Sequence, residues 1–218
     1  MVISMQNVST LSPQSWKQLD VQLRRKDLDR WLSSRYAEPV RRQALLALYL
    51  FNYELARVRT VVSEPTLGAI RFQWWREALE EAASGKPRQH DVVLALNEAV
   101  QTAAIDGAAL VSLIDGHEQA FEAQDRSLEP EVRLAGIATK VLVPAHGWGE
   151  AIAELAPHYA ALRRGEAVGF GPVIAKCPSD IRPAIAHFRL RRIYARTEAV
   201  GAFSRRACVM AAMFSGVV

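Results

Sequence analysis

Cysteine is scarce in this sequence, and two further absences narrow the class of protein. The 218 residues include two cysteines, Cys177 and Cys208, which do not form a CxxC pair. This spacing indicates reduced thiols in a cytoplasmic protein and argues against a disulfide framework. The opening residues 1–17 lack a basic start followed by an apolar core, so we expect no secretory signal. No apolar run approaches the roughly 20 residues of a membrane span.

Motifs for nucleotide binding, nucleophilic catalysis and metal binding are also missing. The sequence has no Gly-rich phosphate loop and no nucleophile elbow, which weakens any interpretation as a nucleophilic enzyme. His117 is followed by Glu118 but lacks a second histidine four residues on, so this segment is not a zinc-binding helix. The net charge is +4, yet no basic stripe alternates with aromatic residues. We expect neither a metal site nor a nucleic-acid partner.

What the sequence does contain is helical periodicity along nearly its whole length. Half of its residues are hydrophobic, enough for a sizeable core. We predict an all-α helical bundle in which residues 1–218 form a single domain, without internal repeats or linkers. The expected helices cover about residues 12–23, 28–36, 39–62, 65–83, 91–100, 108–124, 131–143, 149–162 and 183–214.

The segment 39–62 is predicted to be the central helix. One apolar stripe recurs at steps of three and four, and we expect it to be buried. It consists of Ala44, Leu48, Phe51, Leu55, Val58 and Val62. A neighbouring, more polar stripe consists of Tyr49, Asn52, Ala56 and Thr60. The second stripe would line a cavity, although a buried tyrosine with one hydrogen-bond partner explains it equally well.

A second helix is predicted to begin at Pro65, after a break at residues 63–64. Its expected inward stripe consists of Leu67, Ile70, Trp74 and Ala78, widened by Trp75 and Leu79. The paired tryptophans Trp74 and Trp75 fit packing at the core and its rim best, with contact to a ligand as the alternative.

Residues 39–76 resemble the squalene/phytoene synthase family. Tyr49-Leu50-Phe51 matches the Tyr-x-Phe of its first motif helix. The string Arg71-x-Gln73-Trp74-Trp75-Arg76 is similar to a branch that keeps the fold without its aspartates. That branch includes a mitochondrial complex I assembly factor and alphaproteobacterial relatives. The resemblance covers about residues 29–196 and implies an isoprenoid-synthase-type helical bundle with a central cavity. Because typical members are longer, we expect a shortened C-terminal end.

The resemblance also shows which acidic residues are absent. In the family, aspartates of the first motif helix hold Mg²⁺ ions that bind and ionise an allylic diphosphate. In this sequence the aspartate positions fall on Ala56, Arg57 and Thr60, and a phosphate-facing arginine falls on Tyr53. None of these side chains supplies a carboxylate, and Arg57 would repel a cation. The resemblance therefore implies that no catalytic residues are present.

Two other segments could supply acidic residues for a metal site. The second family motif is expected at residues 158–170, which contain a single acid, Glu166. Three acids at helical spacing could approximate another metal site, although a solvated acidic face is the better interpretation. They are Asp115, Glu118 and Glu122.

The resemblance implies three functions, in order of preference. The first is a non-catalytic role in protein assembly or interaction, with respiratory-complex subunits as partners and no cofactor. The second is a Mg²⁺-dependent head-to-head prenyltransferase acting on farnesyl or geranylgeranyl diphosphate, and the third is a carrier of a prenyl or other lipid. The candidate residues for lining a cavity or binding a ligand are Tyr49, Asn52, Tyr53, Ala56, Thr60, Trp74 and Trp75.

Arginines recur through residues 189–206, which we predict to lie on one long helix followed by an apolar end. Such a helix could rest on an anionic membrane or on a membrane-bound partner. This predicts peripheral contact with the inner membrane. The alternative is a surface helix whose arginines pair with acids of neighbouring helices.

Overall fold

The computed structural model describes residues 11–102, 104–197 and 199–218, and the regular elements in these ranges are all helical. The helices are α1 (Pro13–Lys26), α2 (Leu28–Ser34), α3 (Pro39–Val61), α4 (Pro65–Ala83), α5 (Asp91–Gln101), α6 (Gly107–Glu122), α7 (Glu131–Leu142), α8 (Gly149–Arg163), α9 (Arg182–Ile185), α10 (Arg191–Tyr194) and α11 (Ala202–Ser215). Short 3-10 segments lie at Arg126–Leu128 and Ala186–Leu190. The predicted all-α architecture is confirmed. The expected absence of a secretory signal falls partly on residues 1–10, outside the described ranges.

Proline and a capping side chain determine where the first long helices begin. The Ser12 hydroxyl accepts a hydrogen bond from the N–H of Ser15 at 3.0 Å, and Pro13 occupies the first turn of α1. The Glu38 carboxylate caps α3 in the same way, and Pro39 follows it. A proline in the first turn removes an N–H that has no partner within the helix, and it fixes φ near the helical value.

Helix α3 is the central element, as its apolar period predicts. It packs against α1, α4, α5, α6 and α7. The predicted stripe is buried at Leu48, Phe51, Leu55 and Val58. The Phe51 ring meets the Trp75 ring of α4 edge to face, with 5.2 Å between the ring centroids. Because aromatic pairs in this geometry add to the energy of burial, this contact fixes α4 against α3.

Helix α4 turns a different face to the core than the sequence predicted. Leu67 and Ile70, expected to point inward, are 48% and 59% exposed. Of the predicted positions Ala78 and Trp75 are buried, together with Phe72, which was not predicted. The two aromatic rings bury more apolar area than the leucine and isoleucine would, which favours the observed rotation of the helix.

A close contact between α4 and α6 also requires this rotation. A Cβ atom placed on Gly68 would lie 2.2 Å from the Phe121 ring of α6, so only glycine allows the two helices to approach this closely. Phe121 in turn packs edge to face on Phe72, with 5.9 Å between ring centroids. Gly68 and Phe72 therefore have to face α6, and this leaves Leu67 and Ile70 outside.

The prediction of one long helix over residues 183–214 is wrong. The chain instead forms α9, a 3-10 segment and α10, and it leaves helical structure before α11 begins after Gly201, whose backbone is extended. The reason is that the Tyr194 hydroxyl and the Arg205 guanidinium bind the same buried carboxylate, that of Asp29. On one straight helix these two residues would lie about 16 Å apart along the axis, so the chain has to turn between them.

The irregular segment before α9 is held by the last residues of the chain. Ile174 and Val218 exchange two backbone hydrogen bonds, each of 2.9 Å, and the N–H of Cys177 donates to the carbonyl of Gly216 at 2.9 Å. Gly216 has φ 69°, a left-handed conformation that terminates α11 and that glycine adopts without strain. The segment therefore has fixed backbone partners despite its lack of helices.

Candidate functional site

Tyr49, the first residue of the predicted ligand-facing stripe on α3, lies in the packed interior. Its hydroxyl donates a hydrogen bond to the carbonyl of Ala184 at 3.3 Å. Its ring lies edge to face with the buried His187 imidazole, with 6.5 Å between centroids. Burial raises the pKa of the Tyr49 hydroxyl above its usual range, so the group stays protonated and acts as a hydrogen-bond donor.

The next two residues of the stripe, Asn52 and Tyr53, contact neighbouring helices. Nε2 of His117 lies 2.9 Å from Oδ1 of Asn52. Burial, assisted by the nearby Arg59 guanidinium, lowers the pKa of His117 to about 3. The imidazole is therefore neutral at physiological pH, and its Nε2–H donates to the amide oxygen. The Lys26 ammonium lies 4.7 Å from the centroid of the Tyr53 ring.

The three α3 positions at which the family resemblance expects aspartates present other chemistry. Ala56 offers a methyl group and is partly exposed. Thr60 donates its hydroxyl hydrogen to the backbone carbonyl of Arg57 at 2.8 Å. The Arg57 guanidinium extends toward solvent and lies 3.7 Å from the Glu54 carboxylate. This face of α3 therefore offers a guanidinium at the position where a cation would need an oxygen ligand.

Trp74 and Trp75 form one aromatic cluster with His90. The two indole rings lie edge to face at 4.9 Å, and His90 lies 5.6 Å from Trp74 and 5.4 Å from Trp75. Trp75 is buried and Trp74 is half-buried. The Arg88 guanidinium lies 5.1 Å from the Trp74 ring centroid. Trp75 belongs to the core, whereas Trp74 forms part of the molecular surface.

Sequence reasoning missed a buried network of charges around α2. The Asp29 carboxylate is fully buried and accepts hydrogen bonds from the Tyr159 hydroxyl at 3.1 Å and the Tyr194 hydroxyl at 2.6 Å. The Arg205 guanidinium completes its shell at 2.9 Å. The partners lie 130, 165 and 176 residues away along the chain. No local period could have indicated these contacts.

A second part of the network surrounds Arg30. Its guanidinium is buried between the carboxylates of Asp27 and Glu131, the latter at 2.6 Å. The Arg163 guanidinium lies 3.0 Å from the same Asp27. Burial alone would raise the pKa of Asp27, but the guanidinium groups of Arg163 and Arg30 hold it well below its usual range. Both acids are paired with arginine, which makes them structural groups.

The single acid of the expected second motif, Glu166, pairs with the Arg164 guanidinium. It lies at the edge of a cleft of about 830 Å³, which Arg163, Tyr194 and Arg205 also border. The cleft thus contains more guanidinium than carboxylate groups, unlike the paired-aspartate site that the family resemblance describes.

Two of the three acids on α6 are also paired with arginine. Oδ1 of Asp115 lies 2.7 Å from the Arg76 guanidinium, which contacts Glu118 as well, while Glu122 is exposed. In the described part of the chain, no group of three or more His, Cys, Asp or Glu side chains could hold a metal ion. The expectations of no metal and no cofactor stay predictions.

Comparison with known proteins gives one family model and several curated relatives, each matching part of the chain. The family model described as Squalene/phytoene synthase matches residues 23–130. The curated relatives include "NADH dehydrogenase (ubiquinone) complex I, assembly factor 6" from Homo sapiens and Bos taurus, each 32% identical over 97 residues. The protein of the same name from Rattus norvegicus is 34% identical over 97 residues. Each match covers 44% of this chain and 29% of the relative.

The matched segment thus spans less than a third of the length of these relatives. No solved structure matches the chain. Within the described ranges, no helix combines the length and the apolar composition that crossing a bilayer requires.

Asp29→Asn should destabilise the fold by about 3–5 kcal/mol, because loss of one partner from a buried ion pair leaves the other charge unpaired. Urea unfolding measures this cost. The matched control is Asp115→Asn, which also removes one carboxylate from an arginine pair but at a side chain that is 56% exposed. The control should cost about 1 kcal/mol or less. Equal costs for the two variants would contradict the structural role of the Asp29 network.

Stability should fall as pH drops from about 6.5 toward 3 because of His117. Burial lowers the pKa of His117 to about 3, so below its ordinary pKa the unfolded chain binds a proton that the folded chain does not. The expected loss from this group is about 2 kcal/mol at pH 5. Burial also lowers the pKa of His187, which acts in the same direction.

Urea titrations between pH 7.5 and 5 measure this dependence. His117→Gln keeps a donor for Asn52 and removes the titrating group, so its stability should depend less steeply on pH than that of the wild type. Because the pKa of Asp27 lies well below its usual range, its contribution is lost only at more acidic pH and does not interfere. Identical pH slopes for the two proteins would show that His117 does not stay neutral in the fold.

Proposed function

We propose that the protein is a non-catalytic member of the squalene/phytoene synthase family, whose model matches residues 23–130, and that it acts by protein interaction, as in respiratory complex I assembly. The matched relatives carry the name of a complex I assembly factor. The observation that carries the proposal is the chemistry of α3. Ala56, Arg57 and Thr60 occupy the positions where the family resemblance expects carboxylates.

The physical reason is the charge of a diphosphate leaving group. Ionising an allylic diphosphate requires that its developing negative charge be neutralised by precisely held cations, and hard cations require several oxygen ligands. On α3 the Thr60 hydroxyl is directed to a backbone carbonyl and the Arg57 guanidinium is partly occupied by Glu54. These side chains support a binding role better than prenyl transfer.

The two alternatives have less support. A prenyltransferase would need two acidic clusters facing one cavity, whereas Asp27, Asp29 and Glu166 are each paired with arginine. A carrier of a prenyl or other lipid would need a large dry cavity with an entrance. At the level of Tyr49 and Asn52, hydrogen bonds across the bundle occupy the interior.

The chain should give no prenyltransferase turnover. Incubation with farnesyl or geranylgeranyl diphosphate and Mg²⁺ should return only substrate, because α3 supplies no carboxylates for the metal. Product analysis by mass spectrometry checks this, with an active synthase as a parallel control.

The tagged chain should instead retrieve respiratory complex I subunits or assembly intermediates from its native host. Detection of squalene or phytoene, or a failure to retrieve any complex I component, would contradict the proposal.

We infer that the protein is cytoplasmic and touches the inner membrane through α11. The predicted long arginine helix does not exist, and Arg189, Arg191 and Arg205 bind partners within the fold. Helix α11 nonetheless contains no Asp or Glu. Its outward face bears Phe203 and Phe214, which are 85% and 79% exposed. A helix with an exposed arginine, Arg206, no acidic residues and exposed aromatic rings suits an anionic lipid surface.

The chain should therefore sediment with vesicles that contain anionic lipid and less well with neutral vesicles. Phe203→Ser combined with Phe214→Ser should reduce sedimentation, because it removes the apolar groups that would enter the interface. Val132→Ser, a change at an exposed apolar residue of α7, is the control and should have no effect. Sedimentation that is unchanged in the double variant would contradict contact through α11.

A further inference from the structure

Helix α4 carries a ridge of apolar side chains on its outer surface. Leu67, Ile70 and Trp74 follow one another at steps of three and four residues and therefore lie on one face of the helix. Leu67 and Ile70 are exposed and Trp74 is half-buried. The exposed Val61, at the end of α3, borders the same surface. Contiguous exposed apolar side chains of this kind are typical of a binding surface, unlike apolar residues that are scattered singly.

This α4 ridge, defined as Leu67, Ile70 and Trp74, stands between two hollows. On one side lies a groove of about 580 Å³ between α3 and α4. On the other side lies a hollow of about 450 Å³, bordered by Gln73 and Glu77. Ile70 and Trp74 border both. A ridge with a groove on each side is the surface shape with which one helix packs against another.

Contacts within the chain hold the ridge in place before any partner binds. Trp74 packs against the buried Trp75 and against His90. The Arg88 guanidinium lies over the Trp74 ring and is itself fixed by Glu77 at 3.0 Å. A tryptophan that is already ordered loses little conformational entropy on binding, which favours it as an anchor residue.

The charges around the groove specify the chemistry of the partner. Arg57 and Arg71 border the groove and are exposed. The Glu54 carboxylate also borders it and lies 2.7 Å from the Lys26 ammonium and 3.7 Å from the Arg57 guanidinium, so Lys26 balances its charge and the net charge of the groove stays positive. The groove therefore presents two guanidinium groups beside an apolar ridge, and acidic side chains complement them.

We propose that the α4 ridge and its two hollows bind an amphipathic helix of a partner protein. The apolar stripe of that helix covers Leu67, Ile70 and Trp74, and its flanking Asp or Glu side chains pair with Arg57 and Arg71. The inference rests on the proposed function, because it identifies the surface through which an assembly role would be exerted.

Two synthetic helical peptides test this chemistry with the full chain. Both carry leucines at steps of three and four residues over about five turns; one has Glu at the flanking positions and the other has Lys. Calorimetry should show binding of the Glu peptide. Ile70→Glu should weaken it about tenfold or more, which corresponds to about 1.4 kcal/mol. Val132→Glu, an exposed apolar residue of α7, is the matched control and should leave the affinity unchanged.

Reversal of the arginine charges gives a sharper outcome. The double variant Arg57→Glu, Arg71→Glu should prefer the Lys peptide over the Glu peptide, because the sign of the rim charge is inverted. These are surface positions, and unchanged thermal unfolding of the variants shows that the fold is intact. Absence of binding by the wild-type chain, or equal binding of both peptides, would overturn the proposal.

A photocrosslinking residue at position 70 of the full chain identifies the occupant in the native host. The expected product joins position 70 to an acidic amphipathic segment of another protein, and the same residue at position 132 gives no such product. Crosslinks to a second copy of the chain or to lipid would overturn the proposal.

If Ile70→Glu still retrieves complex I components as the wild type does, the proposed surface is wrong and the proposed function stands. If the wild type binds the Glu peptide but retrieves no complex I component from the host, the surface is right and the proposed assembly function is wrong.

Discussion

The carboxylate of Asp29 is buried away from solvent, and the groups that satisfy its charge determine how the last third of the chain closes on α2. Two tyrosine hydroxyls and the Arg205 guanidinium bind it, and they come from α8, α10 and α11. A buried ionised carboxylate without such partners would cost several kcal/mol. The three helices therefore have to meet at Asp29. The irregular chain between α8 and α9 and the break before α11 allow the chain to turn, so that all three reach it.

The same pairing of acids with arginines links the fold to the proposed function. The buried and partly buried carboxylates of Asp27, Asp29 and Glu131 are matched by the guanidinium groups of Arg30, Arg163 and Arg205. Acids in this arrangement hold helices together and have their charge neutralised, whereas a Mg²⁺ site needs carboxylates that share a cation. Exposed apolar side chains lie on the outer surface at the α4 ridge and along α11, and this distribution favours binding over chemistry.

The sequence predicted those parts of the fold that depend on local periodicity. The stripe through Phe51 on α3 follows the helical period, so its burial could be predicted. The burial of all residues from Ala44 to Phe51 follows from the helices that surround α3. Helix α4 is apolar on more than one side, and the choice of face depended on the contact between Gly68 and Phe121, more than 50 residues apart. The Asp29 network, and the break between α10 and α11 that it requires, were missed because the partners of Asp29 lie 130 or more residues away along the chain.

Calorimetric titration of the full chain with farnesyl diphosphate, with and without Mg²⁺, is the most direct test. It asks whether the chain lacks the metal-dependent diphosphate binding that prenyl transfer requires. With Ala56, Arg57 and Thr60 on α3, no carboxylate is available there to hold the metal that would bridge protein and diphosphate. We expect no binding that depends on Mg²⁺. Saturable binding of the diphosphate that appears only when Mg²⁺ is present would contradict it.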